Sequence, residues 1–204
     1  IHHRTEALTG VGDIRLSGHV RLVQPQGPDD WTMDARLGFT LPTGNIEPDP
    51  FVLGRDGQSH QHMFFGHGTF DPTAGLQASR ALGSWRLQAF AGGRMPVYEN
   101  RHGYRGPSSF SGGIGMARGL GDSGLVVQGQ LSAFHEIPAK WSGADARNSG
   151  RTDVIGAVGA SFPATKTLSL IAMLRVPWVL QTQGGQLSLS PTLVLGLATR
   201  LPVW

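Results

Sequence analysis

The stretch Ile14-Arg-Leu-Ser-Gly-His-Val-Arg-Leu-Val23 alternates with a period of two. Ile14, Leu16, Val20 and Leu22 fall on one side, and Arg15, Ser17, His19 and Arg21 on the other. Period two is the signature of a strand with two unlike faces. The same parity returns in 31–43, where Trp31, Met33, Ala35, Leu37, Phe39 and Leu41 oppose Thr32, Asp34, Arg36 and Thr40. Trp85, Leu87, Ala89 and Ala91 then oppose Arg86 and Gln88. Leu125, Val127 and Leu131 oppose Gln128, Gln130 and Ser132, and Leu168, Leu170, Ala172, Leu174 and Val176 oppose Ser169 and Arg175. Leu187, Leu189, Leu193, Leu195 and Leu197 oppose Ser188, Ser190 and Thr192.

The gaps between these runs alternate in length. Turn-like gaps at 81–84, 120–123 and 163–166 interleave with long ones at 44–68, 98–107 and 137–150. Strands joined by tight turns at one end and irregular loops at the other describe an outer-membrane β-barrel. A soluble sandwich also alternates, with one face buried and one wet. Here the apolar faces are mostly Leu, Val and Ala, suited to lipid, and the opposite faces are uncharged polar or Arg, suited to a lumen. Trp31, Trp85, Tyr98, Tyr104, Trp141 and Trp178 lie near strand ends, where an interfacial aromatic girdle is expected.

Composition agrees with this fold class. Thirty glycines and thirteen prolines among 204 residues, with 39% hydrophobic residues, suit many short strands rather than a helical bundle. No run of about eighteen apolar residues offers a transmembrane helix, which leaves barrel strands untouched because they are apolar on one face only. The absence of cysteine excludes disulfides and thiolate metal sites. The net charge of +3 is carried mostly by arginines scattered singly along strands, without a basic cluster interleaved with stacking aromatics. Nucleic acid is therefore not expected as a partner.

The expectation is an all-β, antiparallel transmembrane β-barrel of the bacterial outer membrane, a single domain over 1–204. Nine strands are counted between Asp13 and Trp204. Closed barrels of this kind have an even strand number. Residues 1–4 are therefore read as the tail of a preceding strand, with a signal peptide and N-terminal strand or strands upstream, and about ten to twelve strands in the full protein. Tracing back from a periplasmic C-terminus puts the tight turns in the periplasm and 5–12, 44–68, 98–107 and 137–150 outside. The short 181–185 connection is also external.

Three glycine-bearing segments, Thr9-Gly-Val-Gly-Asp13, Leu41-Pro-Thr-Gly44 and Gly66-His-Gly-Thr-Phe-Asp-Pro72, resemble those of the outer-membrane transporter family called "meta-pathway of phenol degradation". The resemblance runs from Thr9 to the C-terminus and implies a barrel with a transport role, without catalytic residues. The glycines suit strand ends where the backbone turns with positive φ.

Two sets of residues carry candidate chemistry. Parity points Arg15, Arg21, Arg36, Arg86, Arg94 and Arg175 into the lumen, against Asp34 and Asp153. This is either a network of paired charges plugging a narrow barrel or a positive path for anionic solutes. Seven of the eight histidines, His2, His3, His60, His62, His67, His102 and His135, fall in or beside the external loops. His60, His62, Met63 and His67 are candidate ligands for Cu or Zn, since imidazole suits both and a thioether favours Cu(I); no other cofactor is expected. The alternative is ordinary loop polarity.

Gly119-Leu-Gly-Asp-Ser-Gly124 matches the dinucleotide fingerprint by letter, but no helix follows, so it is read as a hairpin turn. Ser132, His135 and Glu136 lack the order and spacing of a catalytic set, and no enzyme is expected. The functional expectation is a transporter-like channel for small anionic or hydrophobic solutes, with outer-membrane lipid as surroundings. The alternative is a structural or binding subunit anchoring a larger complex of envelope proteins.

Overall fold

The computed structural model describes residues 7–184 and 188–199. The expected tail of an upstream strand at 1–4, His2, His3, Leu187 and the terminal Trp204 lie outside the described residues. Twelve strands and one short helix follow in chain order. They are β1 (Ile14–Val23), β2 (Trp31–Leu41), α1 (Pro50–Arg55), β3 (Asp71–Leu82), β4 (Trp85–Arg94), β5 (Tyr104–Arg105) and β6 (Ser109–Leu120). Then come β7 (Leu125–Glu136), β8 (Lys140–Trp141), β9 (Ala144–Asp145), β10 (Arg151–Pro163), β11 (Leu168–Thr182) and β12 (Thr192–Thr199).

Nine of these form one antiparallel sheet in the order β1-β2-β3-β4-β6-β7-β10-β11-β12, so each long strand pairs with its neighbour in sequence. Among the described residues, β1 and β12 each leave one edge unpaired and the sheet does not close. The last strand runs over Thr192–Thr199, so that Leu189, expected in it, lies before its start. The tight turns fall at one end of the sheet. Gly83, at φ +58°, occupies a left-handed conformation that the two-residue β3–β4 turn needs and that a side chain would resist. The 121–123 segment is a single 3₁₀ turn between β6 and β7, as the hairpin reading required.

Directly paired residues share a face in an antiparallel ladder, so the register assigns every side chain. Arg15 pairs with Thr40 and Arg21 with Asp34, Gln77 with Phe90, Gln130 with Ala157, and Arg175 with Thr192. These lie on one face, and the Leu-rich set lies on the other. Burial is inverted relative to a soluble domain. Leu37 is 67% exposed and Leu195 73%, whereas the most buried side chains are Thr69, Asp71 and Asp153. Soluble proteins seldom expose contiguous apolar surface on this scale.

The sheet also curls. Residues of β1 and of β7 line one recess, although in a flat sheet those strands would stand about 24 Å apart at ~4.8 Å per step. The polar face is the concave one. Arg36 and Arg86 face it but stay exposed rather than enclosed, because no further wall stands opposite them among the described residues. Of the apolar positions expected to be exposed, Leu16, Leu37, Val127, Leu170 and Leu195 are so, while Leu87 is half-buried.

The few buried apolar side chains are mostly not in the sheet. Ile46, Ala139 and Trp141 belong to the long connections. Those connections fold together: β5, β8 and β9 make a second, three-stranded sheet that joins the β4–β6 connection to the β7–β10 connection. Tyr104 and Trp141, expected in the aromatic girdle, are instead register partners within it. Trp31 and Trp85 do stand at the tight-turn rim, with the guanidinium carbons of Arg80 and Arg118 over their rings at 5.9 and 5.1 Å.

The open sheet has a measurable consequence. Hydrogen exchange of this 204-residue chain should leave the outer-edge amides of β1 and β12 unprotected while β4, β6 and β7 stay slow. Equal protection at both edges of β1 would mean that another strand covers it.

Candidate functional site

The three glycine-bearing segments meet at the loop end of the sheet. The Asp13 carboxylate accepts from the backbone N–H of Gly44 through Oδ1 and of His67 through Oδ2, both at 2.8 Å. Thr43 Oγ1 accepts from the Ile14 N–H at 2.9 Å and donates to the Gly12 carbonyl at 3.0 Å. One side chain from each of two segments therefore fastens β1 to the start and end of the long β2–β3 connection.

The glycines are explained mainly by close approach, which corrects the positive-φ expectation. Of Gly10, Gly12, Gly44, Gly66 and Gly68, only Gly68 has a positive φ. A Cβ on Gly44 would lie 2.6 Å from the Phe65 carbonyl carbon, and one on Gly66 would collide with the Asp13 carboxylate and stand 2.8 Å from the Gly44 Cα.

The next layer is built on Asp71, at the first position of β3 and fully buried. Its Oδ1 accepts from Thr69 Oγ1 at 2.6 Å, and Oδ2 lies 3.2 Å from His67 Nδ1 and 3.9 Å from Arg94 Nε. Arg94 Nη2 donates to the Pro107 carbonyl at 3.4 Å. Asn100 Nδ2 donates to the His67 carbonyl at 2.8 Å, while its Oδ1 accepts from the His102 and Tyr104 N–H groups at 2.8 and 3.1 Å. The Tyr104 ring lies 6.1 Å from His67 and 4.7 Å from Trp141. Three long connections are thus bound into one cap. Burial, reinforced by the negative charge of Glu136, pushes the Tyr104 hydroxyl up to about 12.

Below the cap lies a recess of about 520 Å³ on the concave face. Arg15, Arg36 and Arg94 line it, with His19, Asp34, Gln77, Phe90, Phe134 and Glu136. The paired glycines Gly75 and Gly92 form a stretch of wall without side chains. Asp34 is bonded to Arg21 across the β1–β2 register and lies 3.8 Å from His19 Nε2. Arg94 Nε stands 3.9 Å from the Asp71 carboxylate, without a hydrogen bond among the described residues. Arg15, Arg36, Arg86 and Arg175 have no ion pair among the described residues.

Of the six expected lumenal arginines, then, three line the recess, Arg21 is neutralised beside it, and Arg86 and Arg175 share its face farther toward the tight turns. Asp153 is held two-pronged by Arg151, at 2.7 and 3.0 Å, on β10. Sequence reasoning left out Phe90, Phe134 and Glu136, although the same parity assigns them inward. It also left out Asn100, whose role depends on contacts that no local pattern encodes.

The expected metal set does not assemble as a whole. His67 is turned into Asp71, and Met63 is 70% exposed. His60 is buried, its Nδ1 lies 3.0 Å from the Gln58 carbonyl, and its ring meets His62 edge-on at 5.0 Å. His62 in turn meets Phe51 of α1 at 5.3 Å. Among the described residues, no three His, Asp or Glu side chains converge as a metal site. Phe65 packs against Gly10.

Compared with known proteins, the sequence matches no protein-family model and no curated protein.

Two outcomes test this geometry. Gly66→Ala should destabilise the chain by about 2 kcal/mol or more, read by urea unfolding in detergent micelles. Gly18→Ala, which meets open space, should be nearly silent. In a Tyr98→Phe chain, absorbance titration should report half-ionisation of Tyr104 near pH 12. Because the folded value is raised above the ordinary one of ~10, its stabilising effect is present below pH ~10 and lost as pH rises through 12. Glu136→Gln should move the transition down.

Proposed function

We propose that this chain forms the wall of an outer-membrane β-barrel that passes small anionic solutes. The observation that carries the reading is the inverted burial. A face rich in Leu and Val is exposed on the convex side, and on the concave one stand guanidinium groups without an ion pair among the described residues. A membrane gives the first a favourable solvent and makes the second a positive lumen.

Dimensions support it. From Trp31 to Phe39 along β2 is about 26 Å of strand, or about 20 Å once tilted by ~40°, which is near the apolar band of outer-membrane barrels. Aromatic side chains stand at both limits, Trp31 at the tight-turn rim and the stacked pair Phe39–Phe70, 5.0 Å apart, at the other. In this reading further strands at the free edges of β1 and β12 complete the barrel, the tight turns are periplasmic, and the cap faces outward. The three glycine segments and their family resemblance agree with a transporter.

A second reading has one specific support. The cap ties three external connections together, as suits a rigid platform for another envelope protein, with the barrel serving as anchor.

Reconstitution in planar bilayers discriminates. A channel should conduct alone, with a reversal potential on the anion side under a salt gradient. Arg15→Gln and Arg36→Gln together should reduce the anion preference by about twofold or more. A silent protein that retains envelope partners through purification would favour the anchor.

A further inference from the structure

The concave face has two unlike walls. From β1 to β7 it is polar and charged. From β10 to β12 the register puts Ile155, Ile171, Met173, Val179 and Val194 on the same face as the arginines. Arg175 is the one free cation among them. A lumen built only for small hydrophilic anions gains nothing from this second wall, because exposed apolar side chains give water and inorganic ions no favourable contact. A closed plug of paired charges does not need it either.

The recess on the first wall has the complementary features. Arg15 and Arg36 lack acid partners among the described residues. Gly75 and Gly92 leave bare backbone where a ligand can approach closely. Phe90 and Phe134 bring two aromatic rings to the same volume. Glu136, on the far side of the recess from the two arginines, disfavours a second negative charge. The volume of about 520 Å³ is in the range that encloses a small organic molecule.

We propose that the site takes carboxylates with an apolar body. The carboxylate sits on Arg15 and Arg36, where a guanidinium fork matches its two oxygens. The body lies over Phe90 and Phe134 and passes along the apolar wall of β10–β12. This rests on the channel reading and adds the solute class to it.

The test uses detergent-solubilised full chain and three probes: cyclohexanecarboxylate, which has head and body; acetate, which has the head; and cyclohexanol, which has the body. Calorimetry should find cyclohexanecarboxylate bound at least tenfold more tightly than either of the others. Arg36→Gln should erase its advantage over cyclohexanol. Phe90→Gln should erase its advantage over acetate. Arg15→Gln and Phe134→Gln probe the same arginine and aromatic walls of the recess should either first variant fail to fold.

Equal binding of all three probes by the wild-type chain overturns the proposal, as does a preference untouched by changes on both walls. Bilayer recordings on the same preparation separate the two levels. Anion conductance without preference for the cyclohexyl body defeats the solute class and leaves the channel standing. A silent protein that keeps the tenfold preference supports the site and defeats the channel.

Discussion

Nine strands keep their pairing in step, and this register is the constraint on which everything else depends. Side chains alternate across a strand, so a slip of one residue in any pair would move a whole run of Leu and Val onto the arginine face. The cost of such a slip differs with the surroundings. In water both faces would be wet and the register weakly specified. Against lipid, each arginine turned outward near mid-depth would cost about 2–4 kcal/mol. The pairing of Arg21 with Asp34 across β1 and β2 adds a local check on register at one edge of the sheet. The two departures from regular pairing, near Arg21/Val23 and Thr152/Asp153, fall at strand ends and leave the face assignment between them intact.

A sheet whose apolar groups point outward has no hydrophobic core to hold its loops. The long connections supply their own order through hydrogen bonds to buried carboxylates and carbonyls. Asp13 and Asp71 each gather donors from other elements, and Asn100 bridges one connection to another. Charge-assisted bonds of this kind are stronger than neutral ones, and a buried polar group left unmatched is costly. The cap is therefore cooperative: removing one donor exposes a carboxylate that several others were arranged to satisfy. The buried apolar side chains Ile46, Ala139 and Trp141 belong to these same connections.

Legibility in the sequence followed the range of the interaction. Strand parity is local, so the nine long strands, their faces and the side of each turn could be read from runs such as Ile14 to Val23. Phe90, Phe134 and Glu136 are equally within reach of parity. The Asp13–His67 bond links residues 54 apart in sequence, and no periodicity carries such information. The glycines of the three segments were visible, but their reason was not. Their crowding comes from three chain segments meeting, which is a property of the assembled fold. The histidine cluster divides in the fold because proximity in sequence within a long connection says nothing of direction. His67 turns to Asp71 while His60 and His62 pack near α1.

Arginine is used differently on the two faces, and the difference argues for a functional lumen. The convex arginines Arg80 and Arg118 lie at the tight-turn rim, each opposite a tryptophan in the register and with its charge over the ring. There the long side chain reaches the edge of the apolar band, and the aromatic face offsets part of the desolvation. On the concave face, Arg21 and Arg151 are bonded to carboxylates and Arg94 stands within 3.9 Å of one, as structural charges generally do. Arg15 and Arg36 follow neither pattern. They carry neither an aromatic cover nor an acid partner among the described residues, and they sit beside a glycine-bare wall. Cations held by a rigid sheet without ion-pair partners among the described residues are a standing attraction for an anion. In the proposed channel, the second, apolar wall of the same face favours anions that carry an apolar body.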